Sequence, residues 1–228
     1  KISILEALTP KAQAAIATDA TSLAGVGSGT GSLTMAHTCS GSDRVLWVGI
    51  YDSKASDVDN ISGVTYNGVA LTKVARRYDG SVGSAELWYL VAPATGANNI
   101  VISRIATSLG VTGFGSSYTG ASQTGVPDSS ATNQAGSGTS FAVSTTVVAA
   151  NSWVVGVFEN TQQQVSVTAP ATKRINNSGQ IFSDSNAAVS AGSYTTTTTA
   201  STGGAWTGVV ASFAPSVSTA NSAFFAFM

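Results

Sequence analysis

Few side chains in this sequence could do chemistry, and their spacing keeps them apart. His37 is the only histidine and Cys39 the only cysteine. Two residues apart in an alternating stretch, they point to the same face of a strand and do not confront each other as a base and nucleophile must. No Gly-x-Ser-x-Gly turn is present to lift a serine off the end of a sheet. Glycoside hydrolysis needs two carboxyl groups facing across a sugar, ~5–9 Å apart. Glu86, Glu159 and Asp184 border tryptophan-bearing or apolar runs, yet nothing in their spacing pairs them. They read as solvent-facing structural carboxylates, and no enzyme is expected. Asp52, Asp57, Asp59 and Asn60 crowd one short segment. Clustered carboxylate and amide oxygens suit calcium, so Asp52, Asp57 and Asp59 are the candidate metal ligands. The same residue types also favour turns for backbone reasons, and the spacing is not that of an EF-hand. No other cofactor is expected.

Other motifs point away from nucleotides. Gly25-Val26-Gly27-Ser28-Gly29-Thr30-Gly31 lacks the Lys-Ser/Thr of a phosphate loop and the strand–helix setting of a dinucleotide site, so it reads as a flexible connector. Tyr51, Tyr78 and Tyr118 would stack on sugar rings if exposed, although tyrosines of sandwiches usually lie in the core. Ten basic and eleven acidic residues give a net charge of −1. The basic doublets Arg76-Arg77 and Lys173-Arg174 make no stripe, so no nucleic-acid partner is expected. Charged residues are 9% of the chain, against roughly 25% in an ordinary soluble domain. Low charge with abundant Ser, Thr and Gly suits short strands and tight turns, and near-zero net charge permits close packing of copies. A single cysteine excludes an intrachain disulfide. No run reaches the ~18 apolar residues of a membrane span, and Glu6 and Pro10 interrupt Ile2 to Leu8, so no signal peptide is expected.

The elements that must position these residues are strands. Phe141, Val143, Thr145 and Val147 alternate with small polar residues, as do Leu33, Met35 and His37, giving one buried face and one wet face. Val45 to Tyr51, Leu87 to Val91 and Trp153 to Phe158 are apolar on both faces and read as central strands. Ala205 to Phe213 is a fourth such run. Val64 to Thr72 centres on Asn67-Gly68, the preferred two-residue hairpin turn. Further strands are expected at Ile100 to Ile105, Leu109 to Tyr118, Val165 to Thr168 and Tyr194 to Thr199, and Gly120 to Gly138 reads as a long loop. The pattern predicts an all-β fold: a single antiparallel, jelly-roll-like sandwich over 17–215, without an exact internal repeat. Residues 1–16 form an N-terminal arm, and 216–228 a C-terminal apolar tail or final strand. Ile2, Ile4, Leu5, Leu8, Phe224, Phe225, Phe227 and Met228 are the candidate assembly contacts, since each phenylalanine gains ~1.5–3 kcal/mol on burial.

Several phrases occur together: Cys39-Ser40-Gly41-Ser42-Asp43-Arg44-Val45-Leu46-Trp47-Val48-Gly49, the hairpin of Val64 to Val74, Glu86-Leu87-Trp88-Tyr89-Leu90-Val91-Ala92-Pro93, Ser117-Tyr118-Thr119-Gly120-Ala121 and Val209-Val210-Ala211-Ser212-Phe213. The ensemble, over about 17–215, resembles a jelly-roll or lectin-like β-sandwich domain of phage structural proteins and bacterial secreted proteins. The resemblance implies a structural or adhesive surface protein with no catalytic residues to transfer. Its expected partners are other copies of the chain or other virion or surface proteins, on a virion surface or outside a cell. Alternatives are an extracellular carbohydrate-binding module, with glycans as partners, and a bacterial surface filament subunit.

Overall fold

The computed structural model describes residues 12–54, 56–81, 83–105, 107–160 and 164–217, with 164 and 165 described in backbone only. Every helix or strand assigned among them is a β-strand. The first half carries β1 (Ala17–Gly29), β2 (Leu33–Cys39), β3 (Val45–Ser53), β4 (Ile61–Tyr66), β5 (Val69–Ala70), β6 (Thr72–Tyr78), β7 (Gly83–Val91), β8 (Gly96–Arg104) and β9 (Ser108–Thr119). The second half carries β10 (Ser129–Ala135), β11 (Ser140–Val147), β12 (Trp153–Asn160), β13 (Gln164–Val167), β14 (Thr172–Asn177), β15 (Gln180–Asp184), β16 (Gly192–Ala200) and β17 (Trp206–Phe213).

These strands form four sheets, ordered β1-β9-β3-β7-β6, β2-β8-β4-β5, β10-β17-β12-β15-β14 and β11-β16-β13. All pairings are antiparallel. Three apolar clusters stack the sheets as four layers. Trp47, Leu87, Phe114 and Tyr118 of one five-stranded sheet meet Val155, Val157, Phe182 and Phe213 of the other. Leu46, Val48, Ile50 and Trp88, on the opposite face of the first, pack on Met35, Tyr66, Ile100 and Ile102. Val154, Phe158 and Val210 likewise pack on Phe141 and Val143. The two five-stranded sheets are therefore buried on both faces, which is why β12 and β17 are buried at every residue while β2 alternates strictly.

The antiparallel sandwich expected from the pattern is present, but as two sandwiches and not one. Strands β1–β4 and β6–β9 map in order onto β10–β13 and β14–β17, and only β5 lacks a counterpart. Each half has the jelly-roll-like order in which the first strand pairs with the last and the second with the last but one. The ladders agree in detail. Cys39 faces Gly96 and Val147 faces Gly192, both glycines at positive φ, 88° and 125°. Thr72-Lys73 and Thr172-Lys173 each precede a bulge before Ala75 and Ile175. Asp43 and Asn151, two residues ahead of β3 and β12, both take positive φ, 49° and 63°. β1 packs on β14 and β6 on β10. Since β10 corresponds to β1 and β14 to β6, this is one contact made twice, so the halves face each other about an approximate two-fold.

Two stretches read as loops are strands. Gly25–Gly29 continues β1 and pairs with β9, and Ser129–Ala135 pairs with β17 as an edge strand. Edge position explains the second, because a strand with one partner and an open side has no need of apolar residues.

Candidate functional site

Most of the titratable residues singled out in the sequence are held by structural partners. Asp52, at the end of β3, is buried and accepts from Asn60 Nδ2 at 3.4 Å. Burial pushes its carboxyl up. Asp57 and Asp59 lie on the loop that follows and face β6. Arg76 Nη1 stands 2.5 Å from Asp57 Oδ1, and Lys73 Nζ stands 2.7 Å from Asp59 Oδ2. The three candidate metal ligands are therefore split, one turned inward and two paired with cations. Among the described residues no group of three His, Cys, Asp or Glu could hold a metal ion.

Lys73 and Arg76 also reach inward to Glu86, with Lys73 Nζ at 3.1 Å and Arg76 Nε at 3.7 Å. Trp88 Nε1 donates to Glu86 Oε2 at 3.0 Å, and the Lys73 ammonium sits 4.8 Å from the Trp88 ring centre. Glu86 is fully buried, and desolvation raises its carboxyl to about 7 against the opposing pull of Lys73. Glu159 is also fully buried. Burial and the neighbouring Asp79 carboxylate both raise its carboxyl well above the usual range. Asp79 Oδ1 in turn accepts from the backbone N–H groups of Ser81 and Gly83. The expectation of solvent-facing glutamates is thus corrected. Strand alternation also separates the two: Glu86 shares a face with Trp88, toward the outer sheet, and Glu159 shares one with Val157, toward the other half. They do not face each other across a cleft.

Asp184 is buried, receives Arg174 Nε at 2.6 Å and Tyr118 OH at 2.8 Å, and ties the halves together. Tyr118 is a core residue; Tyr51 and Tyr78 are half-buried. His37 and Cys39 do share the inner face of β2. The sequence reading missed the partner of His37: Ser22 Oγ on β1 lies 3.0 Å from His37 Nδ1. Burial holds this imidazole below its usual range, hence neutral at pH 7. No carboxylate accepts from its other nitrogen, so the orienting third member of a working triad is lacking among the described residues.

Two surface features remain. At one pole, the first and last described segments run antiparallel: Gln13 pairs with Val217, Ala14 N donates to Ser216 O at 2.9 Å, and Ser216 N donates to Gly120 O at 2.8 Å. Beside this pair lies a groove of about 370 Å³ where Ala14, Ala15, Ile16, Trp153, Ala187 and Ala188 are joined by polar Gln13 and Asn151. The candidate assembly contacts Ile2, Ile4, Leu5, Leu8, Phe224, Phe225, Phe227 and Met228 lie outside the described residues. On the outer face of the β2-β8-β4-β5 sheet is a second groove, of about 440 Å³, where Asn67 and Asn99 stand beside Ala36, Ala97 and Val101. The Asn-Gly hairpin was the one part of this groove visible in the sequence.

No protein-family model, curated protein or solved structure matches the chain. Among the described residues no helix is long and apolar enough to cross a membrane.

Proposed function

We propose that this chain is a non-enzymatic structural or adhesive surface protein, a virion component such as a phage capsid decoration, fibre or tail subunit, that assembles with other copies through its terminal segments. The observation that carries this reading is the pole at which Gln13 and Val217 pair. The first and last described segments lie side by side there, next to a groove that Ile16 and Trp153 help to line. Apolar residues stand in the sequence toward both ends, Ile2 to Leu8 and Phe224 to Met228, and burying them against a neighbouring copy is the contact this reading requires. The body behind them suits a rigid spacer: two sandwiches packed through one apolar cluster. A bacterial surface filament subunit shares the same assembly physics. An extracellular carbohydrate-binding module is the second reading, favoured by the carboxamide groove.

Size-exclusion chromatography with light scattering and negative-stain microscopy test the proposal. The full chain is expected to form oligomers or regular particles, and deletion of residues 221–228 is expected to leave a folded monomer. A full chain that stays monomeric at high concentration, or oligomers that survive the deletion together with Leu5→Ser and Leu8→Ser, would overturn it.

A further inference from the structure

The two halves provide an internal control: a feature required by the fold recurs in both, and one found in a single half needs another reason. On the outer sheet of the second half, Ser144 and Thr195 face each other on one ladder rung, and their hydroxyls bond at 2.7 Å. The matching rung of the first half pairs Ala36 with Asn99. Ala36 has no hydroxyl, and the Asn99 carboxamide makes no hydrogen bond to the described residues. The neighbouring rungs extend the difference, with Val101 where the second half has Thr197 and Ala97 where it has Ser193.

The element without a counterpart borders the same place. β5 and the Asn67-Gly68 turn exist only in the first half. Both turn residues take positive φ, 50° and 76°, and Asn67 N donates to Asn99 O at 3.2 Å, which fixes the turn beside that rung. Asn98, paired with His37 on the inner face, instead turns its Nδ2 to Tyr66 OH, Thr95 O and Gly96 O in long contacts of 3.4 Å. The result is the 440 Å³ groove, with the Asn67 and Asn99 carboxamides beside a floor of Ala36, Ala97 and Val101 and no charged side chain in its lining.

We infer that this groove is a binding site for a neutral glycan, one or two pyranose rings in size. A sugar ring has an apolar C–H face and a rim of hydroxyls, each both donor and acceptor. The alanine and valine floor suits the face. Each carboxamide offers both donor and acceptor to the rim. The volume falls in the range of small-ligand sites, and the lack of charge disfavours phosphorylated or acidic ligands. The site shares its ligand class with the carbohydrate-module reading and is independent of assembly through the termini.

The test is an amide NMR titration of the full chain with lactose, maltotriose, cellotriose and chitotriose. At least one saccharide is expected to shift the backbone signals of residues 36, 67 and 97–101. Asn99→Ala, at an exposed position, is expected to weaken that binding about tenfold, the size of one lost ligand hydrogen bond, and Ala36→Gln to abolish it by filling the groove. Ser144→Ala, on the matching rung, is expected to leave it unchanged. Binding that shifts other residues and ignores Asn99→Ala would keep a glycan module but overturn this site. No shift with any of the four saccharides would overturn both.

Discussion

Replacing Glu86 with Gln removes a titratable group from a fully buried position while keeping its shape. Desolvation lifts the carboxyl from 4.5 to about 7, with Lys73 pulling the other way. At 1.36 kcal/mol per pH unit, that difference corresponds to about 3 kcal/mol. Because the folded value lies above the unfolded one, folding favours the protonated form. The contribution to stability is complete below about pH 4.5 and is lost as the pH rises through about 7. Urea unfolding followed by tryptophan fluorescence at pH 4.5 and pH 8, on the native chain and on E86Q, reads this directly. Subtracting one chain from the other cancels the titration of every other group. Lys73 and Arg76 are not stranded by the change, since Asp59 and Asp57 remain at 2.7 and 2.5 Å. The stability gap is expected to move by about 3 kcal/mol in favour of E86Q between the two pH values. A gap that stays constant, or moves toward the native chain as the pH rises, would refute the reasoning. It would mean that the ion pairs at 3.1 and 3.7 Å outweigh the loss of hydration.

Two further outcomes follow from buried contacts. Glu159→Gln is expected to flatten the loss of stability that sets in as the pH rises above about 4.5, because burial and Asp79 both favour the protonated form of Glu159 in the folded chain; pH-dependent thermal melts check this, and an unchanged slope counts against the reading. Gly49→Ala is expected to cost about 1–3 kcal/mol in urea unfolding. A Cβ there would stand 2.9 Å from Phe182 Cδ2 and 3.0 Å from Val157 Cβ, in the interface between halves. A loss under about 0.5 kcal/mol would show that the two central sheets separate without strain.

The strands were legible wherever burial is one-sided or complete. β2 declares itself by alternation, β12 and β17 by unbroken apolar runs, and the β4–β5 hairpin by Asn67-Gly68. The same unbroken runs carried the signal for four layers, since a strand apolar on both faces needs a sheet on each side. The repeat was hidden because the halves share polarity and backbone conformation, not side chains. Met35, His37 and Cys39 stand where Val143, Thr145 and Val147 stand, and nine residues of β8 and β16 have the same burial pattern with only glycine in common. Glu86 and Glu159 were misplaced for a related reason. A buried charge is tolerated only beside its partner, and the partners of Glu86, Lys73 and Arg76, come from β6, which spacing cannot bring to it; Glu159 is instead disfavoured as a charge by burial and by Asp79. The carboxamide groove was out of reach likewise, because Asn67 and Asn99 meet only through ladder pairing.

The approximate two-fold also bears on why the halves pair within one chain. Tyr118 occupies the position that Phe213 holds in the second half, and Asp184 the position that Tyr89 holds in the first. On one side of the axis the contact is polar, with Tyr118 OH on Asp184 and Arg174 behind it. On the other it is aromatic, with Trp47 set 5.6 Å from both Tyr89 and Phe213. Two copies of the second half, joined by the same operation, would set Phe213 against Asp184 and leave that buried carboxylate without its phenol donor. Two copies of the first would set Tyr118 against Tyr89 and remove the carboxylate that receives its hydroxyl. Only the mixed pair satisfies both positions, and a buried polar group left unmatched costs ~1–3 kcal/mol. The interface therefore favours one half of each kind, which the covalent chain supplies, and leaves the outer sheets and the terminal pole as the surfaces free to differ.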